Sequence, residues 1–116
     1  MDRDGSQPRK VVDLDFEAQY PSWSAEGRID FSGVQSGRFD IFTIAPNGSG
    51  LSRLTNDPGD DNWPTYSPDG TKVAFFSNRD GTDGIWVMNA DGSDPRGIAE
   101  GGEPNWSPQG DWITFD

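Results

Sequence analysis

The sequence predicts an all-β chain built from a repeated unit of four short antiparallel strands, and three observations carry that prediction. Its 15 glycines and 9 prolines are spread along all 116 residues, as turns between many short strands require. Hydrophobic residues make up only 31%, with 12% aromatic, so burial rests on a few large side chains and not on helical stripes. The chain also repeats itself. Asp4-Gly5-Ser6, Asn47-Gly48-Ser49 and Asp91-Gly92-Ser93 set their glycines 43 and 44 residues apart, while Pro21, Pro64 and Pro104 lie 43 and 40 apart. A period in the low forties is that of a four-stranded propeller blade.

Each element follows from local chemistry. Gly-Ser marks a turn, and the short strand after it ends at Val11, Leu54 or Ile98. A loop then leads to a strand holding Trp23, Tyr66 or Trp106. Ser67-Pro68-Asp69-Gly70, with counterparts Ser24-Ala25-Glu26-Gly27 and Ser107-Pro108-Gln109-Gly110, is a tight turn in which proline fixes φ and glycine takes a positive φ. The next strand carries Ile29 and Phe31, Val73 and Phe75, or Ile113 and Phe115. A second turn, Arg79 to Gly84, enters the alternating Ile85-Trp86-Val87-Met88, matched by Ile41-Phe42-Thr43-Ile44. The repeat divides a single array into residues 1–44, 45–88 and 89–116.

The pattern Asp-Gly-Ser, Arg-Leu-Thr, Pro-x-aromatic-Ser-Pro-Asp-Gly, Ala-Phe-x-Ser-x-Arg-Asp-Gly, Ile-Trp-Val-Met resembles the WD40-like (PD40) repeat of TolB-type β-propellers over the whole chain. Residues 45–88 fit best; the first unit departs at Ala25-Glu26, and the third has Gln109 for aspartate and a shorter loop before Pro104. The resemblance implies four-stranded antiparallel blades, here an incomplete arc of about 2.75: one outer strand, two whole blades and two inner strands. It also implies a periplasmic or extracellular setting, although the N-terminus carries no apolar signal core. An open arc is expected to leave two apolar blade faces in water, supplied by Trp23, Tyr66, Trp106, Phe31, Phe75 and Phe115. Self-association is then expected, foremost a homodimer closing a six-bladed ring and next a trimer closing a larger one.

The net charge of −11 argues against a nucleic-acid or anionic-membrane partner. No stretch approaches the apolar length of a membrane span. Cysteine and histidine are both absent, which removes disulfides, thiolate metal sites and the common acid–base and nucleophilic dyads. Ser24, Ser67 and Ser107 recur in equivalent turns and so read as structural. No cofactor is required, and a non-enzymatic role is expected.

A carboxylate precedes the inner-strand proline by four residues in each unit, at Glu17, Asp60 and Glu100, with Asp61 beside the second and Glu103 as a substitute for the third. Where inner strands converge on an axial channel, such acids could hold Ca²⁺ or a basic peptide; solvated loop acids are the plainer reading. Tyr20 and Trp63, just before the prolines, either pack between blades or line the channel mouth beside those acids as a surface for a peptide or carbohydrate. Asp57, Asp80, Thr82 and Asp83 lack EF-hand spacing and read as turn residues, with Asp69 and Asp91 capping turn backbone. The function expected is a binding and assembly module that offers a protein, peptide or cation its loops and acidic mouth. One alternative is a designed, reconstructed or excised fragment whose only property is assembly, though unequal loops argue against an idealised design. The others are a substrate-gating propeller of a serine peptidase and a catalytic propeller.

Overall fold

A computed structural model describes residues 17–24, 27–35, 37–56 and 59–115. Among these described residues, ten strands form three antiparallel sheets, each in chain order. The first blade holds β1 (Glu17–Trp23), β2 (Ile29–Gln35), β3 (Arg38–Ile44) and the two-residue β4 (Ser52–Arg53). The second holds β5 (Asp61–Tyr66), β6 (Lys72–Ser77), β7 (Gly84–Asn89) and β8 (Arg96–Glu100). The third contributes β9 (Pro104–Trp106) and β10 (Ile113–Phe115). The strand read as ending at Val11 lies outside the described residues.

The turn after each inner strand shows why its serine recurs. Ser24, Ser67 and Ser107 are buried, and their backbone amides donate to Arg28, Lys72 and Trp112 carbonyls at 2.8–2.9 Å. Each hydroxyl in turn accepts the amide of that same residue, at 3.0, 3.1 and 3.3 Å. The first turn closes the same pair of bonds with one residue fewer, which absorbs the shorter spacing between Gly27 and Phe31. Asp69 accepts from the Ser67 hydroxyl (2.7 Å) and from the Thr71 amide (3.0 Å), and these donors hold its carboxyl down at about 2. Asp91 makes the same turn with Ser93, and its carboxyl is likewise lowered by the Ser93 hydroxyl and amide.

The blades pack through large apolar residues and a few polar side chains. Ile41 of the first blade joins Tyr66, Val73, Phe75 and Met88 of the second in one buried cluster. On the opposite face of the first blade, Ile29, Phe31, Phe42 and Ile44 form a second cluster, no more than 6% exposed. The expectation of two apolar faces in water therefore does not hold at this face. Trp23 is 41% exposed, Trp106 is half-buried, and the Phe115 side chain lies outside the described residues. The third blade is more open at Thr114, which is exposed where the equivalent Ala74 is fully buried; Trp112, like the equivalent Arg28 and Lys72, is exposed.

Gly92 ties a turn to the neighbouring backbone. Its φ is +90°, and a β-carbon there would come within 2.7 Å of the Leu54 carbonyl oxygen. Gly81, at φ +88°, has open space around the same position. Gly81→Ala should cost about 1 kcal/mol from left-handed backbone alone. Gly92→Ala should cost about 2 kcal/mol or more, because backbone must also move. Urea denaturation of the two variants side by side checks the difference.

Candidate inner-strand cleft

The inner strands β1 and β5 carry the same irregularity. On β1, Tyr20 and Pro21 lie between the pairs Gln19–Ser32 and Ser22–Asp30, so two residues face the single Phe31. On β5, Trp63 and Pro64 lie between Asn62–Phe76 and Thr65–Ala74, facing the single Phe75. These are β-bulges, which tolerate a proline because the extra residue needs no ladder partner. Tyr20 and Trp63 take φ of 56° and 52°, left-handed values that bulky side chains rarely adopt. The Trp63 amide is satisfied by Ser32 Oγ of the first blade (3.1 Å) and by its own neighbour Asn62 Oδ1 (3.0 Å).

The bulges bring equivalent residues of three blades to one cleft of about 250 Å³, lined by Tyr20-Pro21-Ser22, Trp63-Pro64-Thr65 and Glu103-Pro104-Asn105. Tyr20 and Trp63 meet edge to face with ring centroids 5.7 Å apart, and Trp63 meets Phe76 the same way at 5.4 Å. Tyr20 is 47% exposed and Trp63 half-buried, so the two rings present contact area while anchored from behind. Side chains lock the three inner strands together. Ser22 Oγ accepts the Tyr66 amide (3.2 Å), and Trp106 Nε1 donates to the Thr65 carbonyl (3.0 Å).

Of the residues singled out from sequence, Tyr20, Trp63 and Glu103 share this cleft, whereas the acids expected to join them go elsewhere. Asp60 Oδ1 accepts the Phe39 amide of the first blade at 2.9 Å. Asp61 is fully buried and meets Arg79 at 3.1 Å. Glu100 ends the outer strand β8, opposite Gly84, rather than entering an inner strand. Glu17 begins β1, with its side chain outside the described residues. Among the described residues, no three acids gather as a metal site would require.

Two buried features went unread in the sequence. Arg79 lies over both the Phe75 ring (5.3 Å) and the Trp86 ring (4.7 Å) while pairing with Asp61. Asp30, fully buried, accepts the Tyr66 hydroxyl across the blade junction at 2.7 Å. Burial pushes the Asp30 carboxyl up to about 6, against the downward pull of Tyr66, Thr43 and Arg28. The same burial and the facing carboxylate push the Tyr66 hydroxyl well above its usual value. Asp30 did leave a signal, because the equivalent positions hold Ala74 and Thr114.

Antiparallel four-stranded sheets joined in sequence, with bulged inner strands meeting at one cleft, define a β-propeller array. The chain belongs to the TolB β-propeller domain family (PD40), which it matches over residues 1–116. It is 31% identical over 116 residues to an uncharacterized protein of Agrobacterium fabrum, covering 96% of this chain and 39% of that protein. It is 37% identical over 79 residues to the Tol-Pal system protein TolB of Geobacter sulfurreducens, covering 65% of this chain and 18% of that one. A solved structure of a TolB-type protein from Agrobacterium tumefaciens superposes with TM-score 0.82 at 31% identity, over 96% of this chain and 42% of the other. TolB from Acinetobacter baumannii superposes with TM-score 0.74 at 24% identity, over 83% of this chain and 25% of the other, a likeness of fold. The chain thus spans about two-fifths of the length of the first of these relatives. Among the described residues no helix is long and apolar enough to cross a membrane.

Proposed function

We propose that this chain is the recognition part of a TolB-type propeller: a non-enzymatic module that binds a protein or peptide segment at the inner-strand cleft, in the periplasmic setting of TolB proteins. One observation carries the reading. Two aromatic residues in equivalent bulges are held in left-handed backbone, at roughly 1 kcal/mol or more each, and both project into one cleft shared by three blades. Packing alone does not call for such strain at Tyr20, whose ring is 47% exposed. Nuclear magnetic resonance titration with short acidic, basic and apolar peptides tests it. Shifts should concentrate at residues 19–22, 62–65 and 103–105; shifts confined to the outer strands, or none, would refute it.

A second role, self-association, is favoured by the third blade. Thr114 stands exposed where the equivalent Ala74 is fully buried, so further strands, from a longer chain or a second copy, would cover it. Light scattering should give a mass near twice or three times 12.7 kDa, and a compact monomer would sink this second reading. Repeating the measurement with calcium tests the expectation of a channel-bound cation.

A further inference from the structure

We infer that the group seated against the Tyr20–Trp63 pair is a positive one, the guanidinium or ammonium of an arginine or lysine side chain. This inference rests on the binding role proposed above and names its ligand. Three observations converge on it. The cleft offers two electron-rich rings side by side, Tyr20 at 47% exposure and Trp63 anchored edge to face on Tyr20 and Phe76. An aromatic face attracts a cation through its quadrupole, and indole does so best. Glu103 is the one charged residue lining the cleft, so its carboxylate has no cation within that lining to neutralise it. The whole chain carries a net charge of −11, which draws cations in and repels anions.

The third unit supports the same assignment by its difference. Where the first two place an aromatic before the proline, the third places Glu103, and among the described residues it does not share their left-handed φ. The cleft thus has two aromatic sides and an acidic one, an arrangement that suits a delocalised cation. An arginine fits on both counts: its plane stacks on a ring while its edge donates to a carboxylate. A volume of about 250 Å³ leaves room for one such head group.

The test titrates the labelled protein with N-acetyl-arginine methylamide, its neutral isostere N-acetyl-citrulline methylamide, and tetramethylammonium. The arginine amide should shift the Trp63 indole signal and bind roughly 5- to 30-fold more tightly than the citrulline amide, the range that cation–π attraction and one carboxylate provide. Glu103→Gln should weaken the arginine amide about 3- to 10-fold and leave citrulline unchanged. Tyr20→Leu, at an exposed ring, should weaken it similarly without unfolding the chain. Equal binding of the arginine and citrulline amides at the cleft would overturn the cationic assignment and leave the binding role standing. Absence of cleft shifts with all three probes, together with absence in the peptide panel, would remove both. Tetramethylammonium binding as tightly as the arginine amide would overturn the assignment to a peptide side chain in favour of a free ammonium ligand.

Discussion

Arg79→Ala should be among the most destabilising single substitutions in this chain, at about 3–5 kcal/mol. The guanidinium performs three tasks at once. It neutralises Asp61, whose side chain is fully buried, at 3.1 Å. Its Nε donates to Ser77 Oγ at 3.1 Å, and its plane covers the rings of Phe75 and Trp86. Alanine would remove the cation 3.1 Å from a buried carboxylate and open a gap over two aromatic rings. Against a total stability on the order of 5–15 kcal/mol, such a loss brings the domain near its unfolding threshold. Urea denaturation followed by circular dichroism measures it. Arg79→Lys should recover only part, since an ammonium cannot stack on both rings while bonding two acceptors. Adding Asp61→Asn to Arg79→Ala should restore more than 1 kcal/mol, because the buried charge that Arg79 faced is then gone; a double variant no more stable than the single would refute the electrostatic account.

The second large effect is a pH dependence set by Asp30. Its carboxyl sits at about 6 in the folded chain against an ordinary value of 3.8, because burial disfavours the charged form. A raised folded value means that stability from this group is fully present below the unfolded value and is lost as pH rises through about 6. The whole span corresponds to about 3 kcal/mol, of which about 1.4 kcal/mol falls between pH 5 and pH 7.5. The groups facing Asp30 are the Tyr66 hydroxyl, Thr43 and Arg28. Asp69 and Asp91, with lowered values, lose their contributions only at more acid pH and do not disturb this window. The protein should therefore resist urea better at pH 5 than an Asp30→Asn variant's own pH trend would lead one to expect, and the difference between the two should vanish in slope above pH 7. Identical pH profiles for the two proteins would refute the assignment.

Turn chemistry and repetition made the architecture legible. Ser-Pro-Asp-Gly encodes its hairpin within four residues, so Ser67 to Gly70 announced both the turn and the strands on either side. Comparison of units then placed Tyr20 and Trp63 before equivalent prolines, which put them on inner strands together. Side-chain destinations were less legible. Asp60 and Asp61 are adjacent acids in a loop-like stretch, yet one caps a strand 21 residues earlier and the other is sealed under Arg79. No local pattern distinguishes them, because the deciding partners come from another blade or from the turn that follows β6. Glu100 was misplaced by the shortened loop: counting back four residues from Pro104 reaches the preceding outer strand and not the entry to β9. The left-handed φ of Tyr20 and Trp63 was invisible for a different reason, since no residue type there demands it.

Among the described residues, every ladder hydrogen bond stops at a blade boundary. What crosses between blades among these residues, besides apolar and ring contacts, is the Tyr66 hydroxyl to Asp30 and a handful of short bonds from side chains to a neighbour's backbone: Ser32 to the Trp63 amide, Ser22 to the Tyr66 amide, Asp60 to the Phe39 amide, Trp106 to the Thr65 carbonyl. A lineage can therefore duplicate, delete or exchange a whole unit without breaking any sheet, provided a few small polar residues still meet exposed backbone on arrival. The inheritable joint is a serine, an aspartate or an indole N–H at the right place.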